Sequence, residues 1–125
     1  MFQATSIASP EWMRVPQADG RELVFFTGVA VVNFRGTGST WRRDQVEIFL
    51  PGSWQRVDEG VASAALAAID DLGVATNAGW AIDGTVFSVQ PPRIVVDIAV
   101  TDLKCGLLRL SFHSVALGTG FQPPP

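Results

Sequence analysis

The chain holds one histidine, His113, and one cysteine, Cys105, so any acid–base or thiol chemistry would have to be built around these two residues. His113 lies in LLRLSFHSVAL at 107–117, where Leu108, Leu110 and Phe112 alternate with Arg109, Ser111 and His113. Successive side chains of a strand point to opposite faces, so the imidazole shares a face with Arg109 and Ser111. To act as a general base it needs a carboxylate within hydrogen-bond reach. Asp97, in RIVVDIAVT at 93–101, is the best candidate. Setting these two runs side by side with their apolar faces matched puts Asp97 opposite Arg109 or Ser111 and His113 nearer Val95. The expected contact is therefore an Asp97–Arg109 ion pair with His113 as a half-buried neighbour. If this face instead binds a ligand, its residues are His113, Arg109, Asp97 and Trp80.

Cys105 and His113 share strand parity, which would suit a thiol nucleophile and its base. Eight residues separate them, a distance of roughly 26 Å along a straight strand, whereas such a pair needs about 3 Å. Cys105, in a turn beside Lys104, is read as an accessible thiol. GTGST at 36–40 lacks the Gly-Lys-Ser/Thr ending of a nucleotide-binding loop, and a strand rather than a helix is expected after it. It reads as a hairpin tip carrying Arg35, Arg42 and Arg43. Asp70, Asp71, Asp83, Asp97 and Asp102 show no metal-ligand spacing. Trp41, Trp54 and Trp80 sit near strand ends, where rings either stack on sugars or plug a sheet core, and plugging is the simpler role. No catalytic, cofactor-binding or metal-binding residue is assigned, and no cofactor is expected.

Composition narrows the classes further. The 125 residues suit one domain. Apolar residues make up 47% and charged residues only 17%, against a usual charged share of about 25%. A net charge of −3 argues against a nucleic-acid binder and gives no attraction to an anionic membrane surface. The single cysteine implies no disulfide and no oxidising compartment. MFQATSIASPEW lacks the basic start and apolar core of a signal peptide, and no apolar run reaches the length of about 20 residues that spans a bilayer. The expected location is the cytoplasm or a particle, such as a virion, assembled there.

The elements that would position these residues begin with LVFFTGVAVVNF at 23–34. Val24, Phe26, Ala30, Val32 and Phe34 share one face of a strand; Leu23, Phe25, Val29 and Val31 share the other. Both faces are apolar, so both need cover. DQVEIFL at 44–50 alternates as a second strand. Val61, Ala64, Ala65, Ala68, Ile69 and Leu72 fall at helical spacing, with Asp58 as N-cap and Gly73 as C′ residue. This predicts one α-helix over about 59–72. GWAIDGTVFSV at 79–89, with a bulge at Gly84, RIVVDIAVT and LLRLSFHSVAL read as a three-strand meander.

The predicted class is α+β: a mainly antiparallel sheet, small barrel or sandwich of about five to six strands with one inserted helix, in the order β-β-α-β-β-β. Residues 1–20 read as an extended arm, 21–118 as a single β-rich domain and 119–125 as a Pro-rich tail. An alanine-rich helix shields little area, so the first strand should need a second layer or neighbouring copies. The expected function is that of a non-enzymatic structural subunit. It would form a homo-oligomer through Leu23, Phe25, Val29, Val31, Trp12 and Phe2, and would contact other assembly proteins but neither nucleic acid nor membrane. Small β-rich subunits of phage tails have this general character. The alternatives are a small-ligand or carbohydrate-binding module and a small enzyme using His113.

Overall fold

A computed structural model describes residues 2–35, 41–70, 79–101 and 105–125. Its described residues form eight strands: β1 (Phe2–Gln3), β2 (Ser6–Pro16), β3 (Glu22–Arg35), β4 (Arg42–Phe49), β5 (Arg56–Asp70), β6 (Gly79–Val89), β7 (Pro92–Thr101) and β8 (Cys105–Thr119). They pair into two four-stranded sheets, ordered β1-β4-β7-β6 and β2-β3-β8-β5. All neighbours are antiparallel except β1 and β4. The fold is an all-β sandwich. No helix occurs among the described residues, and none is long and apolar enough to cross a membrane.

The α+β expectation is thus overturned, and the reason lies in the segment expected to be a helix. Residues 56–70 are β5, paired along nearly their whole length with β8. From Gly60 to Leu66 the side chains alternate between half-buried (Gly60, Ala62, Ala64, Leu66) and exposed (Val61, Ser63, Ala65), which is the period of a strand. Alanine, frequent in this segment, fits either period and so carries no periodic signal. Intrinsic helix preference is a weak prior that tertiary pairing overrides, and β8 offers a partner of 15 residues. Asp71, Leu72 and Gly73, expected at the helix end, lie outside the described residues, as does the loop 36–40.

β3 answers the question of cover. Its β-branched and aromatic residues suit a pleated, packed surface. Val24, Phe26, Ala30 and Val32 are buried, facing the second sheet together with Leu108, Leu110, Phe112 and Ala116 of β8. From the other layer come Val46 and Ile48 of β4 and Ile94, Val96, Ile98 and Val100 of β7. Each fully buried large apolar side chain contributes about 1.5–3 kcal/mol relative to exposure. Phe121 closes one end of this core, with its ring 5.6 Å from that of Phe26 in an edge-to-face contact and 5.0 Å from that of Trp54.

β6 and β7 pair as expected, and the register breaks at Ile82/Gly84, where the bulge was predicted. The meander stops there. β7 pairs with β4, and β8 crosses to the other sheet between β3 and β5. Residues 1–20, read as an arm, supply β1 and β2, and β2 pairs with β3 from Ser6 to Pro16. In the tail, Phe121 is buried and Gln122 bridges to Ser53.

Candidate functional site

Register fixes the rows of side chains on the outer face of the β2-β3-β8-β5 sheet. Reading across the four strands, the first row is Val15, Leu23, Leu117 and Glu59, and the second is Met13, Phe25, Val115 and Val61. The third is Glu11, Thr27, His113 and Ser63, and the fourth Ala8, Val29, Ser111 and Ala65. In the fifth row Val31, Arg109 and Ala68 lie side by side. The first two rows are apolar but for Glu59. Met13 is 59% exposed, Val15 37%, Phe25 36% and Val61 67%. Two shallow hollows open on this end. One, of about 310 Å³, is bordered by Phe25, Thr27, Val61, His113 and Val115; the other, of about 290 Å³, by Leu23, Glu59, Val61 and Leu117.

Charge gathers at the end of this patch, in the turn joining β2 to β3 and at the start of β5. Arg21 pairs with Asp19 at 2.7 Å and with Asp58 at 3.4 Å, and Arg56 with Asp58 at 2.8 Å; Arg14 of β2 and Glu22 of β3, on the parity of the buried Val24 and Phe26, pair at 2.9 Å. The hydrogen bond from the Arg21 guanidinium holds the Asp19 carboxyl below its ordinary range. The guanidinium of Arg14 also lies 5.3 Å from the centre of the Phe121 ring, so the same cation ties the start of β3 to the core plug.

The residues proposed for ligand binding do not meet. His113 and Arg109 lie on the outer face of one sheet, and Asp97 on that of the other. Packed sheets are about 10 Å apart, so the core stands between them. The expected Asp97–Arg109 pair is replaced: Gln45 Nε2 donates to Asp97 Oδ1 at 2.9 Å. His113 is flanked by Thr27 and Ser63, and the carboxylate of its own row, Glu11, lies two strands away. Trp80 is 48% exposed near the start of β6. Cys105 and His113 occupy one continuous strand, opposite Arg35 and Thr27 respectively. Among the described residues no three His, Cys, Asp or Glu side chains group to hold a metal ion.

The six residues expected at an interface divide. Leu23, Phe25, Val29 and Val31 share the outer face just described. Trp12, opposite Phe26, and Phe2, opposite Val46, pack against the core instead, and the Arg42 guanidinium lies 4.8 Å from the centre of the Phe2 ring. Sequence reasoning missed Met13, Val15 and Val61. The alternation of Trp12, Met13, Arg14 and Val15 is a strand signal, but Pro10 and Pro16 weaken it. Val61 falls within the segment expected to be helical.

Comparison of the chain with protein-family models, with curated proteins and with solved structures yields no match.

Proposed function

We propose that this chain is a non-enzymatic assembly subunit that packs against copies of itself through the outer face of the β2-β3-β8-β5 sheet. The observation that supports this reading is the pair of adjoining rows Val15–Leu23–Leu117, apolar across three strands, and Met13–Phe25–Val115–Val61, apolar across all four, with Met13, Val15, Phe25 and Val61 exposed. Scattered exposed apolar residues are ordinary in soluble proteins, whereas a contiguous group rimmed by charge marks an interaction surface. Aromatic and methionine side chains, here Phe25 and Met13, are enriched at the centres of such surfaces.

A second copy is the partner that fits. The patch carries little charge with which to select a differently charged partner, and its apolar rows are complementary to themselves about a two-fold axis. The sparse charge of the whole chain is in keeping with a subunit whose surface is covered on assembly. A component of a virion tail or similar particle, meeting further copies and other assembly proteins, would have this character.

Size-exclusion chromatography with light scattering tests the reading. At about 100 μM, a concentration that reveals even weak association, a dimer or larger species is expected. Its fraction should rise in ammonium sulfate, which strengthens apolar association. A monomer under all these conditions sinks the proposal.

A further inference from the structure

Register also fixes the rows on the outer face of the β1-β4-β7-β6 sheet. Trp41 immediately precedes β4 and shares the parity of Arg43 and Gln45. Gly79 pairs with Thr101, Ala81 and Arg43 with Ala99, and Gly84 and Gln45 with Asp97. Asp83 is the extra residue of the β6 bulge at Ile82/Gly84. The simpler role expected of Trp41 is to plug the core, yet it is 52% exposed. A Cβ placed at Gly79 would lie 3.1 Å from Thr101 Cγ2 and 3.2 Å from Trp41 Cη2. The indole therefore reaches from the start of β4 across the buried Thr101 to β6, and the missing side chain at Gly79 makes room for it.

Further along the same face, Arg43, Asp44, Gln45, Asp83, Asp97 and Ile98 border a shallow hollow of about 350 Å³. Arg43 pairs with Asp83 across Ala99, and Gln45 Nε2 donates to Asp97 Oδ1 at 2.9 Å. These contacts orient the planar groups without exhausting them, since a carboxylate offers two oxygens and a guanidinium five N–H donors. Arg43, Gln45, Asp83 and Asp97 are all exposed. A Cβ built at Gly84 would have one atom within 4 Å, Asp97 Oδ2 at 3.7 Å, so the sheet beside that oxygen is open. Between ring and hollow, β7 and β6 present only the methyl groups of Ala99 and Ala81.

We propose that this face binds a short neutral oligosaccharide, one sugar ring lying on Trp41 and the hydroxyls of its neighbours meeting Arg43, Gln45, Asp83 and Asp97. The site lies on the face opposite the proposed self-contact and goes beyond that reading, and neither depends on the other.

A pyranose has an apolar C–H face, which packs on an aromatic ring, and neighbouring hydroxyls that each donate and accept. Donors and acceptors set side by side meet that second need, as do the Arg43 guanidinium, the Gln45 amide and the two carboxylates. A few convergent polar groups beside an apolar wall are what orient a small ligand. From Trp41 to Gln45 the strand covers roughly 13 Å, so the ligand is longer than one sugar. Charge decides against the other flat groups that stack on tryptophan. Of the charged residues bordering the hollow, Asp44 pairs with Arg42 and Asp83 with Arg43, and the Asp97 carboxylate adds a negative charge. The phosphates of a nucleic acid are repelled there. A quaternary ammonium calls for a cage of several rings rather than one, and Arg43 opposes it.

Calorimetric titration of the native chain with cellohexaose, maltohexaose, xylohexaose, mannohexaose and chitohexaose tests the site. At least one should bind with a Kd below about 1 mM. Trp41→Ala should then weaken binding at least tenfold, as truncation of a stacking ring does. Asp97→Asn, which exchanges an acceptor for a donor at nearly the same shape, should weaken it about tenfold, and it decides the matter if Trp41→Ala does not fold in urea denaturation. Trp80 pairs with the buried Val100 and so has inward parity, and Trp80→Ala should bind as the native chain does. Absence of binding by all five sugars overturns the proposal. So does a bound sugar whose affinity folded Trp41→Ala leaves unchanged, or one lost with Trp80→Ala alone. A thymidine hexanucleotide that binds through Trp41 while no sugar does also overturns it.

Discussion

The two outer faces of this sandwich cover the same core on largely antiparallel sheets, yet their surface chemistry differs. On the β1-β4-β7-β6 sheet, polar side chains engage one another across strands. Arg93 Nε lies 2.6 Å from Glu47 Oε2, an ion pair by distance whose N–H is not aligned as a hydrogen bond. Gln45 bonds Asp97, and Arg43 pairs with Asp83. On the β2-β3-β8-β5 sheet, the corresponding positions over the first two rows are Val, Met, Leu and Phe but for Glu59, with further charge at the end. A solvated sheet face shows polar residues at alternate positions; the first face mixes such residues with Phe49, Val86 and Val95, whereas the first two rows of the second hold no polar residue but Glu59. Because one core serves both faces, folding alone does not account for the difference. Self-association through the second face, as proposed, would account for it.

The largest effect should come from putting charge into the apolar rows. Phe25→Glu is expected to cost self-association about 2 kcal/mol or more, roughly thirtyfold in Kd, as loss of a central aromatic contact does at other interfaces. Val86→Glu, on the opposite outer face and 59% exposed in the native chain, is the matched control. It should leave association unchanged and stability within about 0.5 kcal/mol. Sedimentation across a concentration series reads both variants. Equal losses from the two would erase the distinction between the faces.

The seam between the layers gives the next effect. A Cβ added at Gly60 would sit 2.6 Å from Cδ1 of Phe87, inside the ring contact that brings β5 close to β6. Gly60→Val should therefore destabilise by about 1–3 kcal/mol through overpacking, although valine favours strands. Trimming the ring with Phe87→Leu should recover part of the loss in a double-mutant cycle. Urea denaturation at one fixed protein concentration keeps any association from entering the comparison. A neutral Gly60→Val would mean that the layers are not in contact at this seam.

How much of this arrangement was legible in the sequence differs from strand to strand. Where apolar residues alternate with polar ones, as in Leu107–Leu117 or Arg93–Thr101, the strands and their inward residues could be read directly. The same holds for the doubly apolar Leu23–Phe34, one of whose two faces the second sheet covers. The alanine-rich segment failed because alanine satisfies helical and strand spacing alike. With β5 lost to a helix, β8 had no second neighbour and was laid beside β7, and that misplacement produced the Asp97–Arg109 pair. Which sheet a strand joins depends on contacts distant in sequence, which periodicity does not encode. The four outward residues of β3 were recognisable from parity alone. Val61 and Met13 complete the patch, but they lie on strands whose pattern was masked by alanine and interrupted by proline.

On the polar face, Glu47→Gln tests whether the ion-pair lattice stabilises the fold. The Glu47 and Arg93 side chains are only 19% and 22% exposed, so their attraction is less screened than that of a surface pair. Loss of the carboxylate charge should cost about 1–2 kcal/mol in urea denaturation. It should leave association untouched, since the proposed contact lies on the other face. A change in association with no change in stability would reverse the roles assigned to the two faces.

The smallest effect is expected from Asp19, in the turn that leads into the apolar face. Its carboxylate accepts the Arg21 side chain at 2.8 Å and the Arg21 backbone N–H at 3.1 Å. Asn keeps the backbone bond and removes only the charge, so Asp19→Asn isolates the ion pair. Because the folded pKa is depressed by Arg21, the pair's contribution is fully present above the ordinary aspartate value of about 3.9. It is lost as pH falls through the depressed folded value. Thermal melts of both proteins should therefore differ slightly at pH 7, with the native chain the more stable, and converge in strong acid. A gap that widened on acidification would mean that the charge opposes the fold, and that the charged turn is not a stabilising border to the apolar face.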